Sequence, residues 1–165
     1  MNMEKVMQLS EKHNFYVVDN AAQAIDNYYT FKDGSTKPLG GIGHFGTFSF
    51  HETKNIISDE GGLLVINDEK YADRAKIIWE KGTNRSAFFR GQVDKYGWVD
   101  IGSSFLPSEL IAAYLFAQLE KLDFIQNRRL NIWNQYYEGL KGIEGFGVKL
   151  PKNLVPLQIM LICFT

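Results

Sequence analysis

Lys54 lies in the run Ser49-Phe50-His51-Glu52-Thr53-Lys54-Asn55, inside a polar turn that follows a short alternating stretch. A lysine set among hydroxyl, imidazole and amide groups can lose its charge and attack a carbonyl as a neutral amine, forming a Schiff base. Ser49 supplies a hydroxyl of the kind that donates to a phosphate. The plain alternative is a surface lysine on a solvated turn. Asp59-Glu60 could form a carboxylate pair, but two acids in a polar loop read more simply as solvated charges.

Other chemistries have less behind them. Gly41-Ile42-Gly43-His44-Phe45-Gly46 matches the dinucleotide fingerprint letter for letter. That fingerprint must follow a strand and open a helix, whereas here a polar loop precedes it and an alternating strand follows, so a turn is expected. The three histidines, His13, His44 and His51, have no i, i+4 pair, and Cys163 is the only cysteine. Neither a metal site nor a disulfide framework is expected from that set. Ser49 does not sit in a G-x-S-x-G elbow, which argues against a hydrolase triad.

The elements that must position Lys54 follow from pattern. Residues 3–13 carry a rough helical stripe of Met3, Val6, Met7 and Leu9, with no obvious cap at the start. Phe15-Tyr16-Val17-Val18 reads as a buried strand, so helix and strand together suggest an αβ unit of a parallel sheet. Asp19-Asn20-Ala21-Ala22-Gln23 then leaves the C-terminal end of that strand, the edge where open α/β sheets bind ligands. Residues 26–46 read as loop, with glycines at 34, 40, 41, 43 and 46. Thr47–Phe50 reads as a strand, and Leu63–Ile66 as a second buried one. Residues 69–81 read as a helix with Ala72, Ala75, Ile78 and Trp79 inward and Gly82 as its C-cap.

Residues 83–106 lack periodicity, and a loop of that length is usually functional or mobile. From Pro107 to about Leu140 the pattern is helical, with Ser104 or Ser108 as cap. A straight helix of that length would run about 50 Å, so a bend, a second helix or a neighbouring subunit is expected. Gly142, Gly145 and Gly147 end it, and Val148-Lys149-Leu150-Pro151 is expected to start an edge strand.

Composition sets the outer bounds. The chain has 165 residues, 45% of them apolar and 22% charged, which is ordinary for one globular domain. Eighteen basic against nineteen acidic side chains give a formal net charge of -1, so no nucleic-acid field is expected. The apolar runs are too short to cross a bilayer, and the N-terminus lacks a signal-peptide core. A cytoplasmic protein without membrane partners is the expectation. Aromatics at 14% suggest a well-filled core or a large interface.

Several segments taken in order resemble one family. SFHETKN followed by EGGLLVIND, with EKHNFYVV leading to AAQ, IGHFGTFSFHETKN, EKGTNRSAFFRGQVDKYGW and DIGSSFLPSELIAAYLFAQLE, is similar to the DegT/DnrJ/EryC1/StrS sugar-nucleotide aminotransferases. The NRSAFFRGQVDKY and GSSFLPS segments resemble one subgroup, the dTDP-4-amino-4,6-dideoxygalactose transaminases. The resemblance covers nearly all of residues 3–151. It implies an α/β fold, a partial pyridoxal 5'-phosphate (PLP)-dependent transferase of the aspartate aminotransferase-like fold type I. It implies that residues 1–82 are the C-terminal part of the PLP-binding large domain. Residues 83–106 would be a long active-site or interface loop, and 107–165 a long helix with an incomplete small domain.

The resemblance also assigns roles. Lys54 matches the lysine that bonds PLP and later moves the proton as general acid and base. Ser49 matches the serine that binds the cofactor phosphate, and Gln23 the residue that contacts the ring oxygen. Ser104 falls where many relatives carry an asparagine reaching a neighbouring subunit's phosphate, and Leu106 where many carry arginine. The implied reaction moves an amino group from glutamate to the 4-keto group of a dTDP-4-keto-6-deoxyhexose for cell-surface polysaccharide, such as lipopolysaccharide. The family is typically a homodimer. Arg85 and Arg90, in the long loop, are candidates to meet a sugar-nucleotide phosphate.

Three departures qualify these roles. Asn20 falls where relatives have the aspartate that faces the pyridine nitrogen and keeps it protonated. Asp19 matches the residue before it, and a one-residue shift on a strand points a side chain to the other face. The chain is shorter than the family, without the upstream glycine-threonine turn and stacking aromatic, and 155–165 (VPLQIMLICFT) departs from the expected continuation. A chain truncated at both ends is expected, inactive alone and poorly stable unless a partner covers its apolar face. The alternatives are a non-catalytic remnant or binding module of the same fold, with Asn20 as its mark, or a PLP enzyme turned to dehydration or isomerisation. The retained Lys54 argues against the dehydratase branch.

Overall fold

The computed structural model describes residues 1–151; Cys163 and the apolar 155–165 stretch lie outside the described residues. Helix α1 spans Met3–His13. Its start is capped after all: the Asn2 side chain accepts a hydrogen bond from the Lys5 N–H at 3.0 Å. Asn14 closes it in the left-handed region, φ 52°.

Strand β1 is Val18–Asn20, shifted from the expected 15–18. Val17 is buried, whereas Phe15, Tyr16 and Val18 are exposed. The apolar run therefore leads into the strand, and the polar pair Asp19-Asn20 carries the ladder because its backbone pairs with β4, Phe45–Ser49. The pairing is parallel, with Val18 opposite Phe45, Asp19 opposite Gly46 and Asn20 opposite Thr47. Strand β5, Gly62–Ile66, pairs antiparallel to β4, giving the order β1-β4-β5.

Between β1 and β4 runs a hairpin, β2 (Tyr28–Thr30) and β3 (Thr36–Pro38), where loop was expected. Its turn is the Asp33-Gly34-Ser35 stretch, with Asp33 Oδ1 accepting from the Ser35 N–H and hydroxyl at 2.9 and 2.6 Å. Those two bonds hold the Asp33 carboxyl below its ordinary range. The hairpin folds Tyr29 against Met3, Val17 and Ile42, and this cluster, with Val6, Met7, Phe31 and Leu39 half-buried around it, is the core.

The sequence expectation of a buried β5 is corrected: Leu63 and Leu64 are about half exposed. A 3-10 turn, Glu69–Tyr71, leads into α2, Ala72–Trp79. Past its C-cap, Glu80, both Lys81 and Gly82 take the left-handed region, at φ 65° and 76°. Gly82 follows and donates to the Ile77 carbonyl at 2.8 Å.

Within 83–106 there is one short helix, α3, Arg85–Phe89. The long helical signal divides into α4, Glu109–Leu119, and α5, Leu122–Leu140, with the break at Glu120-Lys121. Ser108 caps α4, accepting from the Ile111 N–H at 3.3 Å. A 3-10 stretch, Lys141–Phe146, follows α5, and residues 148–151 form no strand. Helix α4 is apolar around its whole circumference yet has no buried residue. Among the described residues no helix is long and apolar enough to cross a membrane.

Candidate active site

Because β1 and β4 run parallel, their C-terminal ends open on one edge. Asn20 ends β1 there and Ser49 ends β4. The ladder extends one residue further, the Ala21 N–H donating to the Thr47 carbonyl at 2.9 Å. Beyond Ser49 the chain loops out to residue 58 and returns. Phe50 donates to Gly61 at 2.9 Å and Ser58 donates back to Phe50 at 2.7 Å. Lys54 lies in that loop, its N–H donating to the His51 carbonyl at 2.9 Å. Phe50 and Ile56 are buried on either side of it, so the loop is rooted rather than free.

The Lys54 side chain is half-buried, and among the described residues its amine makes no hydrogen bond or ion pair. His51 braces the turn: the Thr53 N–H and hydroxyl lie 3.3 and 3.1 Å from Nδ1. With Nδ1 accepting, the neutral ring carries its proton on Nε2, which faces Glu60 at 3.9 Å. The Ser49 hydroxyl makes only a long contact to the His51 N–H, 3.4 Å, and keeps its donor proton for another acceptor.

The two residues at the end of β1 behave differently. Asp19 Oδ2 accepts from the Gly40 N–H at 2.8 Å and is occupied by the fold. Asn20 is exposed, and its Oδ1 accepts from the Ala22 N–H at 3.2 Å. Gly40 takes φ +87°, and the Gly46 backbone passes so close that a Cβ on Gly46 would collide with the Gly40 carbonyl. That close approach explains why the glycine-rich 41–46 run is a turn leading into a strand. His44 is structural here, its Nδ1 accepting from the Val17 N–H at 3.0 Å.

Two residues that the sequence does not single out, Gln126 and Arg129, tie this edge together with Asn55. Asn55 is only 8% exposed. It donates through Nδ2 to the Gln23 carbonyl at 3.1 Å, and its Oδ1 accepts from Arg129 Nη2 at 2.7 Å. Gln126, one helical turn before Arg129 on α5, donates to the Ile25 carbonyl at 3.2 Å. The available signals were an amide beside the lysine and an i, i+3 polar pair on one helix face.

Ser104, Arg85 and Arg90 form a second group around the end of α2. Buried Glu80 holds it together, Oε2 accepting from the Ser86 N–H and hydroxyl at 3.0 and 2.8 Å. Ser104 bridges to Glu80 through the backbone and Thr83 bridges to Trp98. Asn84 donates to the Lys95 carbonyl at 2.8 Å and accepts from Gly97 at 2.9 Å. The guanidinium of Arg85 lies 5.5 Å over the Phe89 ring, and Arg90 donates to Gln92 at 3.1 Å. Lys76, Glu80, Asn84 and Arg90 line an open groove of about 360 Å³. No hydrogen bond, ion pair or ring contact among the described residues joins this group to the Lys54 loop.

The first group fits PLP in donor chemistry: a lysine amine without a partner among the described residues and a serine hydroxyl with a free proton, on loops and strand ends of one sheet edge. It lacks a carboxylate free to face the ring nitrogen. Among the described residues, no three His, Cys, Asp or Glu side chains lie together in a metal-binding group.

A model of the DegT/DnrJ/EryC1/StrS aminotransferase family matches residues 1–163. The chain is 30% identical over 147 residues to a spore coat polysaccharide biosynthesis protein, SpsC, of Bacillus subtilis, covering 87% of this chain and 36% of that one. It is 30% identical over 129 residues to UDP-4-amino-4,6-dideoxy-N-acetyl-beta-L-altrosamine transaminase of Helicobacter pylori, covering 78% and 32%. Among solved structures, an aminotransferase from Psychrobacter cryohalolentis superimposes with a TM-score of 0.75 at 26% identity, covering 88% of this chain and 36% of that one. The chain thus spans between 32% and 42% of the length of the curated relatives it matches.

Proposed function

The chain belongs to the DegT/DnrJ/EryC1/StrS aminotransferase family, whose members depend on PLP, and from that premise we propose that it serves amino transfer to a keto sugar nucleotide in polysaccharide biosynthesis. What supports this reading is that Asn20 and Ser49 end the parallel strands β1 and β4 on one edge, that Asn55, next to Lys54, bonds the Gln23 carbonyl, and that the Lys54 amine has no partner among the described residues. When bound, the cofactor supplies the electron sink that stabilises a carbanion at the amino-bearing carbon. Lys54 would supply the amine that holds the cofactor and would serve as the proton carrier. Ser49 would donate to its phosphate. Gln23, whose carbonyl accepts from Asn55, would offer its side-chain amide to the ring oxygen.

Asn20 takes the place of the carboxylate that would face the ring nitrogen, and Asp19 serves the fold by holding Gly40. The amino donor in this proposal is glutamate and the acceptor a dTDP-4-keto-6-deoxyhexose. Homology to a transaminase named for a UDP sugar keeps the nucleotide as the variable that the assay scores. Residues 1–82 act as the cofactor-binding part, 83–106 as an active-site or interface segment, and 107–165 as the start of a small domain. A homodimer, with α4 in its contact, brings Ser104, Arg85 and Arg90 of one copy toward the phosphates of the other.

The test incubates the chain with PLP, 15N-glutamate and each keto sugar nucleotide, then reads 15N in the sugar. Label in the dTDP sugar supports the full proposal, and label in a UDP sugar alone corrects the acceptor. A second reading, a non-catalytic member of the same fold, is favoured by the neutral Asn20 turned onto Ala22. It predicts no label with any acceptor even when the cofactor binds.

A further inference from the structure

Helix α5 begins at Leu122, 64 residues beyond Ser58, where the Lys54 loop closes on Phe50. Nevertheless polar side chains of α5 reach that loop and the loop after β1. Arg129 Nη2 donates to Asn55 Oδ1 at 2.7 Å, Asn55 Nδ2 donates to the Gln23 carbonyl at 3.1 Å, and Gln126 Nε2 donates to the Ile25 carbonyl at 3.2 Å. Asn55 is more than nine-tenths buried, so its amide must be satisfied inside the protein. Both halves of that amide are used, one toward α5 and one toward the loop after β1. A guanidinium donor also fixes which way the amide faces, because only the oxygen can accept from Arg129 and only the nitrogen can then donate to Gln23. The bond from a charged donor is the stronger of the two.

We propose that Arg129 is a positioning residue for Lys54: by orienting the Asn55 amide it locks the loop carrying Lys54 to the loop carrying Gln23, and it couples both to α5. The inference rests on the reading of Lys54 as the cofactor-bonding lysine. It assigns no chemistry to Arg129 itself. Asn55 adjoins Lys54 in the chain, so a free rotation of its amide would release the backbone beside the reactive amine. Movement of α5 would be felt at Lys54 by the same route.

The test compares Arg129→Met, Arg129→Lys and Asn55→Ala with the wild-type chain by two measurements. The first is amide hydrogen exchange at residues 23–25 and 54–56, with α1 as the internal reference. The second is PLP trapping by borohydride, mapped as the ratio of label on Lys54 to label on exposed Lys12. The proposal expects exchange in both loops to quicken about tenfold in Arg129→Met, with α1 within twofold of wild type. Trapping at Lys54 should fall at least fivefold relative to Lys12. Arg129→Lys, which keeps a charged donor, should recover at least half of that loss, and Asn55→Ala should match Arg129→Met.

Exchange that quickens uniformly, α1 included, would overturn the proposal by making Arg129 a general stability residue. Locally faster exchange with Lys54 trapping unchanged would overturn it too, since the clamp would then not position the amine. Should the wild-type chain itself fail to trap PLP at Lys54, the cofactor reading fails. The clamp is then decided by exchange alone, standing if the two loops loosen together and falling if they do not.

Discussion

Asp19→Ala removes the carboxylate that accepts the Gly40 N–H at 2.8 Å. Gly40 is buried with φ +87° against the Phe48 ring, and its carbonyl is held by Asn67 Nδ2 at 3.2 Å. A hydrogen bond to a charged acceptor contributes about 1.5–3 kcal/mol. Each 1.4 kcal/mol is a factor of ten in an equilibrium constant, so local opening at Gly40 should become about 10–100-fold more frequent. Asp19→Asn keeps an oxygen acceptor and loses only the charge, which leaves a deficit of about 1 kcal/mol and roughly a fivefold effect. Asn20→Ala is the control: its bond to Ala22 is longer, 3.2 Å, and exposed to water. It should leave Gly40 within about twofold of wild type. The assay is amide hydrogen exchange read at Gly40. An unchanged Gly40 in Asp19→Ala, or an equal response to Asn20→Ala, would refute the assignment of Asp19 to the fold and return it as a candidate for the ring nitrogen.

Three further outcomes follow from the same geometry. Gly46→Ala should abolish the β1–β4 pairing, because its Cβ meets the Gly40 backbone, whereas Gly34→Ala, strained at φ +84° but in open space, should cost about 1 kcal/mol in thermal melts. Glu80→Ala strips Ser86 of its acceptor in a site that is 7% exposed, and trypsin should cut at Arg85 and Arg90 at least about tenfold faster. Leu110→Lys with Phe116→Lys, at positions 84% and 64% exposed, should weaken self-association in sedimentation without lowering the melting temperature. A drop in melting temperature without a change in association would remove α4 from the proposed dimer contact.

Periodicity made the helices legible. The stripe of Met3, Val6 and Met7 gave α1, and the Ser108 cap with its long apolar run gave α4 and α5. The hairpin β2–β3 was hidden because only Tyr29 of its six residues is buried, and Thr36-Lys37-Pro38 is polar with a proline. Strand β1 was misplaced because apolar Phe15 and Tyr16 look like strand, while the backbone of Asp19 and Asn20 makes the ladder. The burial expected of Leu63 and Leu64 failed because apolar residues are buried only as far as a partner surface covers them, and among the described residues these two are covered by about half. Lys54 and Ser49 stand as candidates on residue type and on resemblance. The clamp was not, because Asn55 and Arg129 are 74 residues apart and only the fold joins them.

The most direct measurement is addition of PLP to the chain, reduction with borohydride, and peptide mass mapping of the label. The account predicts near-stoichiometric label on Lys54 and its loss in Lys54→Arg, since Lys54 alone combines a half-buried position on the β1–β4 edge with an amine that has no partner among the described residues. Label scattered over exposed lysines such as Lys12 and Lys37, unchanged by Lys54→Arg, would contradict it.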